Sequence, residues 1–172
     1  MTDRSFVCRH RAAIVRHTVT TLLAAALVAR PAVALSAQEL RFRQLTPDDG
    51  LSSSYVQSIF QDRRGFFWFG TDKGLDRYDG YTVHSYRHQR GDTRSIADGT
   101  IYTIAGGMGD TLWVGTNAGL SRYDPDLDAF TNFAVGPTAS PVRGIADAGQ
   151  GALWVGSEAG LFRFDRKLST FR

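Results

Sequence analysis

From residue 40 onward, apolar and polar side chains alternate in short runs, broken every few positions by Gly, Asp or Pro. A period of two is the pattern of a half-buried strand. Residues 40–45 predict a first strand, and Thr46-Pro47-Asp48-Asp49-Gly50 predicts a turn after it. Residues 56–61 predict the next strand, and Asp62-Arg63-Arg64-Gly65 a tight turn. Strands at 66–70 and 75–78 follow, joined through Thr71-Asp72-Lys73-Gly74, and Asp79-Gly80 is a hairpin signal leading into 81–87. Four strands in so short a span are what one propeller blade requires. Phe67 and Phe69 fall on the opposite side from Phe66 and Trp68, because side chains alternate along a strand. Both faces are then apolar, which suits a sheet stacked between two neighbours.

The pattern recurs. Phe67-Trp68-Phe69-Gly70-Thr71-Asp72-Lys73-Gly74-Leu75 returns as Leu112-Trp113-Val114-Gly115-Thr116-Asn117-Ala118-Gly119-Leu120, and again as Leu153-Trp154-Val155-Gly156-Ser157-Glu158-Ala159-Gly160-Leu161. The three tryptophans of the chain stand 45 and then 41 residues apart, a spacing that with strand-like contents marks a blade array. The repeat units run over about 51–94, 95–137 and 138–172, with inner strands opening at Ile101-Tyr102-Thr103-Ile104 and Val142-Arg143-Gly144-Ile145 in the second and third. The expected fold is all-β, an incomplete propeller of about three four-stranded antiparallel blades. Closed propellers have roughly four to eight blades. An open array of three leaves an apolar face at each end, to be covered by further blades of a longer protein or by a second copy completing a six-blade ring.

Repeated residues have scaffold roles. Gly70, Gly115 and Gly156 sit two positions after each Trp, where a strand bends or meets a neighbouring backbone closely. Gly74, Gly119 and Gly160 end the next turn, where positive φ suits Gly, and Leu75, Leu120 and Leu161 begin the third strand on its buried face. Arg77, Arg122 and Arg163 recur two residues later. They are the ligand-binding candidates of the sequence, because a ring of guanidinium groups around a channel would hold an anion. Strict recurrence favours a scaffold role instead, since sites sit on variable loops.

Charge changes the picture only at the N-terminus. Residues 1–37 carry Arg4, Arg9, Arg11, Arg16 and Arg30 against Asp3, whereas the remainder has fifteen basic and sixteen acidic residues. The overall excess of +3 is therefore no sign of a nucleic-acid-binding face. Basic residues, an apolar run over 18–29, the break at Arg30-Pro31 and small residues around 32–37 predict a secretory signal peptide over residues 1–37. Export to the periplasm or another extracytoplasmic space is expected, without a membrane span in the mature chain. Cys8 stands alone and inside that segment, so the rest offers neither a disulfide nor a cysteine-based zinc site.

Candidate chemistry is thin. His84 and His88 straddle a strand end, so a shared metal ion is not expected, and no cofactor is called for. There is no Gly-x-Ser-x-Gly elbow and no Gly-rich loop leading into a helix. A propeller enzyme of lyase type would need a loop cluster of His, Tyr and carboxylates at one end of the blades, and none is legible. The chain is read as non-enzymatic.

Asp62-Arg63-Arg64-Gly65-Phe66-Phe67-Trp68-Phe69-Gly70-Thr71-Asp72-Lys73-Gly74-Leu75 closely resembles the two-component regulator propeller repeat, Asp-x-x-Gly-x-Leu-Trp-x-Gly-Thr-x-x-Gly-Leu. Asp49-Gly50-Leu51-Ser52 and Ser95-Ile96 resemble the openings of that family's sensor regions. The second unit departs from the pattern at Gly106-Gly107-Met108-Gly109-Asp110, which lacks the turn Asp, and the third at Asp147-Ala148-Gly149-Gln150-Gly151, which is one residue longer. The resemblance implies a ligand-sensing, extracytoplasmic part of a bacterial, often hybrid, histidine kinase acting in a phosphorelay. It implies a small ligand, with carbohydrate the class suggested, and as partners the further blades and kinase region of a longer protein.

Overall fold

The computed structural model describes residues 43–108 and 110–172. The expected signal peptide lies outside the described residues. Of the first expected strand, residues 40–42 also lie outside them, and residues 43–46 form no strand; the chain enters a 3-10 turn at Pro47–Asp49. Asp49 closes that turn, accepting hydrogen bonds from the Thr46 backbone N–H and hydroxyl, each at 2.9 Å.

Three four-stranded antiparallel sheets follow, each a simple meander. Blade 1 is β1 (Val56–Gln61), β2 (Phe67–Thr71), β3 (Leu75–Tyr78) and β4 (Val83–Tyr86). Blade 2 is β5 (Ile101–Gly106), β6 (Leu112–Thr116), β7 (Gly119–Asp124) and β8 (Ala129–Phe133). Blade 3 is β9 (Val142–Gly149), β10 (Ala152–Ser157), β11 (Gly160–Asp165) and β12 (Thr170–Phe171). The first strands of the blades, β1, β5 and β9, lie beside one another, as inner strands do around a propeller axis.

Two aromatic cores hold the blades together. Trp68 and Leu75, both fully buried, pack with Leu112, Val114 and Tyr123 of blade 2. Trp113 and Leu120 pack the same way on Leu153, Val155 and Phe164 of blade 3. Each buried Trp or Leu contributes on the order of 2–3 kcal/mol. Glycine makes the approach possible. A Cβ on Gly70 would stand 2.7 Å from Ile101 of the next inner strand, and one on Gly115 would stand 2.6 Å from the Val142 carbonyl oxygen.

The repeated turn between second and third strands is held by one hydroxyl. Thr71 Oγ1 donates to the Gly74 carbonyl and accepts from the Lys73 N–H; Thr116 and Ser157 do the same in blades 2 and 3. Gly74, Gly119 and Gly160 have φ of +155°, +119° and +129°, as the turn reading required. Asp62 closes the first hairpin of blade 1, accepting from the N–H groups of Arg64 and Phe66 and from the Trp68 indole at 2.9 Å.

Candidate functional site

The inner strands carry an irregularity at one repeated place. In β1 the register with β2 shifts between Val56 and Ser58, and in β5 the register with β6 shifts between Ile101 and Thr103. In β9 the Gly144–Gly156 and Val142–Ser157 pairs again leave one residue between them unmatched. The extra residues are Gln57, Tyr102 and Arg143. A β-bulge bends a strand and re-aims its side chain, and such bulges gather near binding and catalytic sites.

Beside each bulge stands the second residue of the hydroxyl-held turn, respectively Asp72, Asn117 and Glu158, all exposed. Scaffold positions repeat in identity across the blades, whereas these six positions carry six different side chains. They cluster at the inner ends of the blades. The Arg143 guanidinium lies 3.9 Å from the centre of the Tyr102 ring, a cation–π contact between blades 2 and 3. Arg143 also donates to Glu158 Oε1 from Nη2 at 2.5 Å and from Nε at 3.2 Å, and the Tyr102 hydroxyl donates to Asn117 Oδ1 at 3.3 Å. The hydrogen bond to Glu158 holds the guanidinium more firmly protonated than usual. The rim thus presents an aromatic ring, a fixed cation, a carboxylate and an amide in one place.

The three recurring arginines do not meet there. They lie on β3, β7 and β11, each directly across from its Trp in the pairs Trp68–Arg77, Trp113–Arg122 and Trp154–Arg163. Their place is therefore on the blade faces, away from the inner strands. Arg77 lies over Phe66, Trp68 and Tyr86 at 5.2, 5.7 and 5.9 Å and donates to the Tyr123 hydroxyl at 3.2 Å. Arg122 reaches Thr131 Oγ1 at 3.5 Å, and Arg163 stands on the outward face of blade 3 beside Trp154.

Around Arg77 the structure assembles a group that sequence reasoning missed. The hydroxyls of Tyr86 and Tyr123 lie 3.2 Å apart and both donate to Asp128 Oδ1, at 2.6 and 2.7 Å. The His84 ring packs against Tyr86 with centroids 4.7 Å apart. Asp128 comes from the turn before β8, close in sequence to Tyr123 but 42 residues from Tyr86, with a φ of +48°. That position offered no local signal. Burial pushes the Tyr86 phenol well above its ordinary range, and its bond to Asp128 adds to the shift; burial likewise raises Tyr123. Burial opposes ionisation of Asp128, yet the two phenol hydrogen bonds, Arg77 and His84 hold its carboxyl below the usual value. A groove of about 310 Å³ opens beside this group, lined by His84, Tyr86, Gln89, Arg94 and Asp128 among others.

His88 bonds the Ile96 carbonyl through Nδ1 at 2.9 Å. Among the described residues no group of three or more His, Cys, Asp or Glu is placed to hold a metal ion. Asp76 was also missed. Fully buried, it accepts from the Ser52 N–H at 2.8 Å, the Ser52 hydroxyl at 2.6 Å and the Ser85 hydroxyl at 2.5 Å. It thereby pins the segment that leads into β1. Among the described residues no helix is long and apolar enough to cross a membrane.

Residues 50–73 match the two component regulator propeller family. A stretch of 68 residues, 38% of this chain, is 44% identical to histidine kinase P4 of Formosa agariphila, of which it spans 5%. Among solved structures, the extracellular domain of a hybrid two component system from B. thetaiotaomicron superposes with a TM-score of 0.67 and 27% identity, over 76% of this chain and 19% of that one. Virginiamycin B lyase from Staphylococcus aureus superposes with a TM-score of 0.56 at 19% identity, over 76% of this chain and 43% of that one, which is a likeness of fold alone. The chain therefore spans a small part of the relatives it matches. It carries the two component regulator propeller repeat, in blades like those that build the extracellular domains of two-component systems.

Proposed function

We propose that the chain is an extracytoplasmic ligand-sensing propeller region of a two-component sensor, and that its ligand is read at the inner rim formed by Gln57, Asp72, Tyr102, Asn117, Arg143 and Glu158. The observation that carries this reading is the bulge repeated in β1, β5 and β9, which presents three different side chains from one scaffold position. A rigid repeated scaffold that presents different side chains from one re-aimed position suits recognition. The likeness to extracellular domains of two-component systems supports the sensing role and the location outside the cytoplasm. Signal output then belongs to a kinase region, in the same protein or a partner.

An aromatic face with an adjoining cation, amide and carboxylate matches the polar hydroxyls and apolar faces of sugars, and the proposed ligand is an oligosaccharide. Thermal melting with a panel of neutral and acidic oligosaccharides tests it, because a ligand bound to the folded state raises Tm. The expected result is a rise with at least one member, lost in Tyr102→Ala and Arg143→Ala. A flat response across the panel overturns the carbohydrate assignment, and a rise that survives both substitutions overturns the rim.

The His84, Tyr86, Tyr123 and Asp128 group is the observation that favours a second, catalytic reading. Against it, both phenols are committed as donors to one carboxylate oxygen and are held neutral. Neither is then available as a base near neutral pH.

A further inference from the structure

The junction between blades 1 and 2 brings three oxygen atoms together. Tyr86 Oη and Tyr123 Oη lie 3.2 Å apart, and they stand 2.6 and 2.7 Å from Asp128 Oδ1. Both phenols are buried, at 9% and 1% exposure, whereas Asp128 is at the surface. Tyr86 belongs to β4 of blade 1, Tyr123 to β7 of blade 2 and Asp128 to the turn before β8, so the triangle spans the junction and blades 1 and 2 supply both sides of it.

Packing does not require these oxygens. Between blades 2 and 3, Phe133 and Phe164 stand at the places of Tyr86 and Tyr123, and Ser169 at that of Asp128. The rings there pack as closely, with Phe133 and Phe164 5.0 Å apart against 5.5 Å for the two tyrosines. The oxygens of the first junction have instead the composition and spacing of a metal-ligand set. Oxygens bound to one small cation at about 2.0–2.1 Å in octahedral geometry stand about 2.8–3.0 Å from one another. The three observed separations bracket that value. Two phenolates and one carboxylate are hard donors, which select a hard cation, and their three negative charges balance a trivalent one. The Arg77 guanidinium donates to the Tyr123 oxygen at 3.2 Å, which favours its phenolate form. A path of entry exists as well. Tyr86 and Asp128 line the groove of about 310 Å³ together with His84, and it leaves room for water or the His84 imidazole to complete the shell.

We propose that Tyr86, Tyr123 and Asp128 bind one ferric ion, which ties blade 1 to blade 2. Binding replaces the two phenol protons, which leave to solvent, by two iron–oxygen bonds, and the carboxylate supplies the third. The iron stays ferric throughout. The site is separate from the inner rim and does not depend on the reading of it.

The test is a titration of the full chain with ferric nitrilotriacetate at neutral pH, followed in the visible region. Phenolate bound to ferric iron gives a charge-transfer band there that neither the protein nor the chelate shows alone. A band that saturates at one iron per chain is expected, together with a rise in Tm. Tyr86→Phe combined with Tyr123→Phe should abolish both and still fold, because the second junction is built from phenylalanine at the same places. Asp128→Asn keeps the phenols and should weaken iron binding by at least about tenfold, the loss typical even of an outer-shell partner. Absence of the band in the unaltered chain overturns the proposal. A band that survives the double variant also overturns it, and places the iron on other tyrosines such as the exposed Tyr55 or Tyr81. A Tm rise with calcium or magnesium and no band with iron overturns the ferric assignment.

Discussion

At the first junction Trp68 lies 5.0 Å from Tyr123 and 5.7 Å from Tyr86, and those two rings lie 5.5 Å apart. At the second, Trp113 lies 5.3 Å from Phe164 and 6.0 Å from Phe133, with the last two 5.0 Å apart. The same three positions are filled by rings in nearly the same triangle, yet the first junction adds two hydroxyls and the second none. Where the first has Asp128 in its outer turn, the second has Ser169 at a similar φ, +48° against +54°. Packing between blades therefore needs the triangle alone. The polar group of the first junction is an addition, and it stands because the carboxylate arrives together with the hydroxyls it satisfies. A buried donor left unpaired costs more than its bond contributes when made.

The largest expected difference lies between the covered tryptophans and the uncovered one. Trp68→Ala and Trp113→Ala each remove a buried indole and should lower the unfolding free energy by about 3–5 kcal/mol in urea titrations. Trp154→Ala, on the outward face, should cost about 0.5–1 kcal/mol under dilution that keeps the chain single. Equal losses at all three positions would mean that the face of blade 3 is covered in solution.

Next in size is the glycine that lets neighbouring inner strands approach. A Cβ on Gly115 would fall 2.5 Å from Thr103 Cγ2 and 2.6 Å from the Val142 carbonyl oxygen. Gly115→Ala should therefore cost about 1–3 kcal/mol by overpacking. Gly156→Ala, with only one atom within 4 Å of the added carbon, should stay within a few tenths of a kcal/mol.

These contrasts also show how far the residues could be read without coordinates. The Trp, Gly and Leu positions repeat, so period and alternation placed β1 and β3 at their observed bounds and located the tight approach at Gly70 and Gly115; in blade 3 the same reading fails, because Gly156 has only the Gly144 carbonyl within 4 Å and Leu161, expected on a buried face, is exposed. Asp62 was legible as the Asp of its turn though not as the acceptor of the Trp68 indole, and Asp76 and Asp128 did not yield to that reading. Their partners lie up to 42 residues away, and turn sequences rich in aspartate give no sign of which carboxylate turns inward. The inner rim was equally hidden. A bulge is a departure from alternation by one residue, and at Gln57, Tyr102 and Arg143 the strand pattern reads through it. The recurrence of Arg77, Arg122 and Arg163 on the third strand was legible, whereas their pairing with the tryptophans depended on register.

A smaller effect separates the two junctions chemically. Asp128→Ala leaves the Tyr86 and Tyr123 hydroxyls without their acceptor and should cost about 1 kcal/mol, since Asp128 stands at the surface and water can replace part of the loss. Converting the first junction to the composition of the second, by Tyr86→Phe, Tyr123→Phe and Asp128→Ser together, removes both sides of each bond and should cost less than Asp128→Ala alone. If the triple variant is the weaker protein, the hydroxyl group does more than satisfy itself, and the two junctions are not interchangeable.

The smallest effect is in the pH dependence, where the junctions should part at both ends of the scale. Asp128 in the folded chain has a pKa below its ordinary 3.8, so it favours folding above that value and loses the contribution as pH falls through the lowered pKa. Tyr86 is raised above its ordinary 10.0, as is Tyr123, so the neutral phenols favour folding up to about that pH and their contribution is lost above it. The urea midpoint of the unaltered chain, measured against pH, should therefore fall more steeply below about pH 4 and above about pH 10 than that of the triple variant. Part of each slope belongs to carboxylates and phenols elsewhere, and only the difference between the two curves reports the junction. Parallel curves would show that Asp128 and the phenols titrate alike in folded and unfolded chains, and would overturn the hydrogen-bonded group at the first junction.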